Sequence, residues 1–113
     1  MKIMKIRIKD YEWKVLFVKN DNSNLESEDN ENVCGITHFD KLRIYINKDI
    51  AEDLILHTIT HELTHATLFS YGMGQYESFT EENVCDFTET HAREIIANAD
   101  YIYNAYIKSR LDK

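Results

Sequence analysis

His61-Glu62-Leu63-Thr64-His65 lies inside a run, from about Ile50 to Tyr71, that reads as one long helix. Residues four apart on a helix sit one above the other, so the imidazoles of His61 and His65 can converge on a single point. Glu62 follows His61 about a quarter-turn round the axis. This spacing suits a definite chemistry: two neutral imidazoles grip Zn²⁺, and the neighbouring carboxylate takes a proton from the metal-bound water as it attacks a carbonyl. Such a pattern can also arise by chance in a chain with five His and 20 Asp and Glu, so its context decides. Leu54-Ile55-Leu56 and Ile59 before it, and Ala66, Leu68 and Phe69 after it, are apolar on more than one face, the mark of a buried central helix. Two His and a Glu buried there require a metal or a hydrogen-bond network.

At 113 residues the chain has room for a single core and hence one domain, 1–113. With 43% hydrophobic and 29% charged residues it has the composition of a soluble globular protein. No apolar run approaches the roughly 20 residues that cross a bilayer. Met1-Lys2-Ile3-Met4-Lys5-Ile6 alternates charge with single apolar residues and holds no continuous hydrophobic stretch, so a cytoplasmic location is expected. The net charge of −7, without a Lys/Arg stripe, disfavours nucleic acid as a partner. Cys34 and Cys85 carry no CxxC spacing and read as free thiols, Cys85 as a small core residue with a lesser reading as a soft metal ligand.

Upstream of the helix, Lys2 to Lys9 alternates with period two, Asp10-Tyr11-Glu12 turns the chain, and Trp13 to Val18 reads as the partner strand of an N-terminal hairpin. Asn20 to Asn32 is too polar to pack and reads as a mobile surface loop. Val33 to Thr37 is a short strand candidate, and Lys41 to Ile46 a clearer one with strict alternation. Asn47 or Asp49 is placed to cap the central helix.

Downstream, Gly72-Met73-Gly74 supplies the left-handed conformations of a helix end. Thr80 is the predicted N-cap of a second helix, 80–111, whose face of Val84, Cys85, Thr88, Ala92, Ile95, Ile96, Ala99, Ile102, Tyr103 and Tyr106 packs on the first. A catalytic zinc with two His lacks one protein ligand, and the second helix is the natural donor. Glu81 shares the face of Val84 and Cys85; Glu82 is turned about 100° away but is followed at four residues by Asp86, which could orient a ligand. If the two helices are level at their shared turn, Asp86 and Glu89 also come opposite the histidines. His57 could flank the site or stand at its solvent edge, His91 reads as a surface or edge residue, and His38 reaches the cleft only if the chain folds back. Tyr71 and Tyr76 are possible hydroxyl donors to an oxyanion, although aromatics are more often core.

His61-Glu62-Leu63-Thr64-His65-Ala66, followed by Glu81-Glu82-Asn83-Val84-Cys85-Asp86-Phe87, resembles the HExxH plus ExxxD arrangement of the gluzincins. It looks most like the short ImmA/IrrE-type metallopeptidases and related small proteins of bacteriophages and mobile elements, over residues 40–107. In that family's second motif the ligating Glu stands six residues before a Phe, which matches Glu81 and Phe87; read by the acidic partner four residues on, the ligand is Glu82. On the first matching, Cys85 stands where the family usually carries Asn or Asp.

The resemblance implies a small zincin-like α+β domain: an antiparallel N-terminal sheet, then the HExxH helix packed on a second long helix. It implies Zn²⁺ held by His61, His65 and one of Glu81 or Glu82, with Glu62 as catalytic base and a protein or peptide as substrate. In such folds an edge strand beside the helix receives the substrate as an added strand, a role that falls to Lys41–Ile46. Two other readings stay open: a non-catalytic, zinc-stabilised phage or mobile-element protein that modulates a host protein, and a domain whose HExxH residues form a metal-free hydrogen-bond network.

Overall fold

A computed structural model describes residues 3–26, 33–73 and 79–111. The chain is α+β: strands β1 (Met4–Ile8), β2 (Tyr11–Val18), β3 (Gly35–His38) and β4 (Arg43–Asn47), then helices α1 (Glu52–Ser70) and α2 (Glu81–Leu111). A 3-10 turn at Ser23–Leu25 follows β2.

The period-two pattern of the first residues produces the predicted hairpin. Ile8 pairs with Tyr11 across a two-residue turn, in which Lys9 takes φ 53°. The sheet is nonetheless mixed rather than antiparallel: its order is β1-β2-β4-β3, and β2 runs parallel to β4. This corrects the substrate-strand assignment too. The Lys41–Ile46 segment is an interior strand, paired on both sides, and β3 is the edge.

Both helices cover one face of the sheet. Met4, Ile6, Ile8, Trp13, Val15, Phe17, Ile44 and Ile46 meet Ile55, Ile59, Leu63 and Ala66 of α1 and Ile95, Ala99, Ile102 and Tyr106 of α2. Trp13 is wholly buried, and its indole N–H, which would be costly to strand, donates to Ser70 Oγ at 2.9 Å. Val18, Leu25 and Tyr45 form a small second cluster that includes Ile36 at its margin.

Instead of being buried all round, α1 has an open face carrying Leu54, His57, His61, His65 and Phe69. Thr58, Thr60, Thr64 and Thr67 each donate to the carbonyl four residues earlier, so these hydroxyls sit in the helix without orphaned polar groups. Neither predicted cap serves α1: its N-cap is Ala51, without a side-chain bond. Asn47 Oδ1 accepts from the Asp49 amide and Asp49 Oδ2 from the Asn20 amide, so both are committed to the strand ends. At the other end the amides of Gly72 and Met73 donate to the carbonyls of Phe69 and Leu68, and Gly72 takes φ +73°, a Schellman closure. Gly74 lies outside the described residues.

Thr80 caps α2 as predicted, through a reciprocal pair in which Thr80 Oγ1 accepts from the Asn83 amide and Asn83 Oδ1 from the Thr80 amide. The two helices run antiparallel but are not level at their connection. Arg110 meets Glu52 at 3.3 Å, while Tyr71 meets Glu94, so α2 continues about ten residues, or about 15 Å, past the end of α1. The reason is in the sequence: the buried stripe of α2 is His91, Ile95, Ala99, Ile102 and Tyr106, and before His91 only the partly buried Phe87 packs against the core among the apolar residues. Val84, Cys85, Thr88 and Ile96, expected on the packed face, are exposed.

Gly72→Ala is expected to lower stability by about 1–2 kcal/mol, because an L side chain is strained at this φ although a Cβ there would touch nothing. Urea denaturation checks this; an unchanged or raised midpoint would show that the helix end does not need the left-handed residue.

Candidate functional site

The histidine pair stands on the open face of α1, next to β3. The rings of His61 and His65 lie with centroids 5.0 Å apart, inclined at 73°, and both residues are exposed. Glu62 points the other way, toward the sheet, and is only 6% exposed. A carboxylate so deeply placed needs a donor, and β3 supplies it: Thr37 Oγ1 lies 2.9 Å from Glu62 Oε1 and 3.2 Å from the Glu62 carbonyl oxygen. With Oε1 held by the hydroxyl, Oε2 is the oxygen nearer His61, 3.9 Å from its Nε2.

Two residues earlier on the same face of β3, Gly35 permits this closeness. A Cβ at Gly35 would come within 2.7 Å of Thr58 Cγ2 and 3.0 Å of Glu62 Cγ. The strand therefore lies directly against the stretch of α1 that carries Glu62. Between them runs an open groove of about 270 Å³ lined in part by Gly35, Thr37, Phe39, His61, Glu62 and His65. It is continued along the helix by a second hollow that adds Cys34 and His57. His57 thus flanks the groove, as one of its two readings had it.

His61, Glu62 and His65 are gathered at one groove, whereas Glu81 and Glu82 stand exposed at the overhanging start of α2. Among the described residues no three His, Cys, Asp or Glu side chains are grouped so as to hold a metal ion. The donor set beside the groove fits two of the three protein positions of a catalytic zinc, with a carboxylate adjacent to them.

The remaining histidines are accounted for elsewhere. His38 Nε2 lies 3.0 Å from the Asn24 carbonyl oxygen and its ring meets Tyr45 edge-on, away from the groove. His91, expected at the surface, is buried between Tyr71 and Phe87, with Nδ1 3.7 Å from Glu94 Oε1. Tyr71 is not turned to the groove: its hydroxyl bonds the Glu94 carboxylate at 3.2 Å. Burial, and after it the charge of Glu94, raises the pKa of that phenol above its ordinary value. Tyr76 lies outside the described residues.

Sequence reasoning missed Thr37 and Gly35. The only signal was their alternation, which puts both on the face of β3 that meets α1, and a four-residue strand carries too little pattern to reveal it.

No family model matches this chain, and the comparisons with curated proteins and with solved structures return no match. Among the described residues, no helix is long and apolar enough to cross a membrane.

Thr37→Val keeps the shape of the side chain and removes its donor, so stability should fall by about 1–3 kcal/mol. In a Glu62→Met background, where no carboxylate is left buried, the same change should do less harm, and Thr37→Ser should restore most of the loss. Equal losses in both backgrounds, read by urea denaturation, would disconnect Thr37 from Glu62. Gly35→Ala should cost about 1–3 kcal/mol through crowding against Thr58.

Proposed function

We propose that this protein is a zinc-dependent metallopeptidase-like hydrolase that cleaves a peptide bond of a protein or peptide laid in the groove between β3 and α1. The observation that carries the reading is a division of labour within one helical turn. Two exposed imidazoles face the groove side by side, while the carboxylate between them in sequence is buried and oriented by Thr37.

His61 and His65 would hold the metal; the gluzincin arrangement that the sequence resembles gives the third protein position to Glu81 or Glu82, which would have to come to the groove from the overhanging start of α2. A zinc ion bound there supplies a Lewis acid for the scissile carbonyl and lowers the pKa of a water molecule. Glu62 takes the proton of the attacking water and later delivers it to the leaving amine. Thr37 leaves one carboxylate oxygen free for that proton by engaging the other. The outer edge of β3 bears no strand among the described residues, so an extended substrate can pair with it and bring its backbone alongside Glu62.

Elemental analysis of protein purified without chelators, joined to mass spectrometry of a digested pool of denatured proteins, tests the proposal. Wild type should carry zinc at about one ion per chain and cleave. His61→Ala and His65→Ala should lose the metal. Glu62→Gln should keep it while cleavage falls by a factor on the order of 10² to 10⁴. Of Glu81→Ala and Glu82→Ala, the one that sheds zinc identifies the third ligand. Zinc without cleavage would leave a non-catalytic metal-stabilised protein; no zinc in wild type would remove the hydrolase altogether.

A further inference from the structure

Five rings follow one another without a break along this side of the molecule: Tyr11, Phe69, Phe39, His65 and His61, with centroid separations of 6.0, 5.1, 6.4 and 5.0 Å in turn. The three carbon rings are 40%, 37% and 41% exposed, in that order. They come from separate places in the chain. Tyr11 opens β2, Phe69 ends the open face of α1, and Phe39 follows β3 directly. Single apolar residues at a surface are ordinary, but three rings from three separate stretches of chain, with Phe69 touching both of the others, form a patch that calls for an occupant.

The patch is also firmly seated. Phe69 rests edge-to-face on Trp13, 6.0 Å away and wholly buried, so the ring surface is fixed before anything binds. Fixed, half-exposed aromatic surfaces lose little freedom on binding, which is why they serve so often as anchors in recognition. The patch is continuous with the groove, since Phe39 is both a wall of it and a neighbour of His65. It also lies at the end of the edge of β3, which bears no strand among the described residues. A strand paired with that edge advances about 3.3 Å per residue and sends alternate side chains to the α1 side. A side chain one or two places from the bond offered to Glu62 therefore arrives at Phe39 and Phe69.

We propose that Tyr11, Phe39 and Phe69 form a side-chain subsite that selects an extended protein segment bearing a large apolar residue, Phe, Tyr or Leu, next to the bond presented to Glu62. The inference rests on the hydrolase reading and adds the class of sequence that the groove accepts. The recognition itself needs no metal, because it is made by rings outside the histidine pair.

The test uses the Glu62→Gln protein with two probes, acetyl-Ala-Ala-Phe-Ala-Ala-amide and the same peptide with Ala in place of Phe. Binding is followed by backbone amide NMR shifts and by the emission of Trp13, the chain's single tryptophan and a direct neighbour of Phe69. The Phe peptide should bind about tenfold tighter, with shifts centred on Tyr11, Phe39 and Phe69. Phe39→Ser, in a turn, should level the two affinities, and Tyr11→Ser should do so in part if Phe69→Ala fails to fold. Equal affinities in the starting protein, or a preference that survives Phe39→Ser, would overturn the subsite. So would shifts that grow with protein concentration and not with peptide, which would mark the patch as a contact between two copies of the chain. In zinc-loaded wild type, cleavage without regard to Phe, Tyr or Leu would overturn the subsite and leave the hydrolase standing. Selective binding in a protein that neither holds zinc nor cleaves would do the reverse.

Discussion

The contact on which the arrangement turns is the one between Thr37 and Glu62. A carboxylate drawn almost wholly out of water is unfavourable by several kcal/mol unless something compensates it. Here the compensation comes from a hydroxyl on a different element, 25 residues earlier in the chain. The bond therefore does more than satisfy one oxygen. It fixes the edge strand to the helix beside the histidines and chooses which carboxylate oxygen faces His61. Gly35 makes the approach sterically feasible, and the groove is the space left beside that close contact.

Much of this organisation is legible in the sequence. Alternation in Met4–Ile8 follows from one face lying on the helices, whereas Arg43–Asn47 is buried on both faces, and the hairpin turn is marked by Asp10. Gly72 and Thr80 end and begin helices for the reasons their side chains suggest, a free left-handed φ and an acceptor hydroxyl. What periodicity cannot supply is the neighbour of each strand. The parallel pairing of Lys14 with Arg43 joins residues far apart in sequence, and only that pairing puts β4 inside the sheet and β3 at its edge. Nor does an apolar surround reveal which side of a helix stays wet. Leu54 and Phe69 are apolar and yet share the open face with His61 and His65, so burial of the histidines was the wrong expectation from a sound pattern. His91 errs the other way, since its ring fills an aromatic slot between Tyr71 and Phe87 that is visible only when both helices are in place.

The two ends of the long helix play different parts. From His91 onward it is a core element, stacked on Phe17 through Tyr106 at 4.0 Å and tied to the start of α1 by Arg110. Before His91 it is an acidic, largely solvent-washed extension carrying Glu81, Glu82, Asp86 and Glu89, from which Phe87 alone leans on the core. Helix propensity and the Thr80 cap sustain that extension, whereas packing holds the rest, so its position is the least constrained part of α2. The proposed metal chemistry has its two imidazole donors on α1, and a third donor from this extension would have to leave its overhang to reach them.

X-ray absorption at the zinc edge on protein loaded with one equivalent of zinc addresses the central claim most directly, because it reads donor atoms rather than their consequences. Scattering from two imidazole rings at about 2.0–2.1 Å is expected, with oxygen donors completing a four-coordinate shell, and no such shell in His65→Ala, which should not retain the ion. A shell of oxygen alone, or one dominated by sulfur from Cys34 or Cys85, would contradict it.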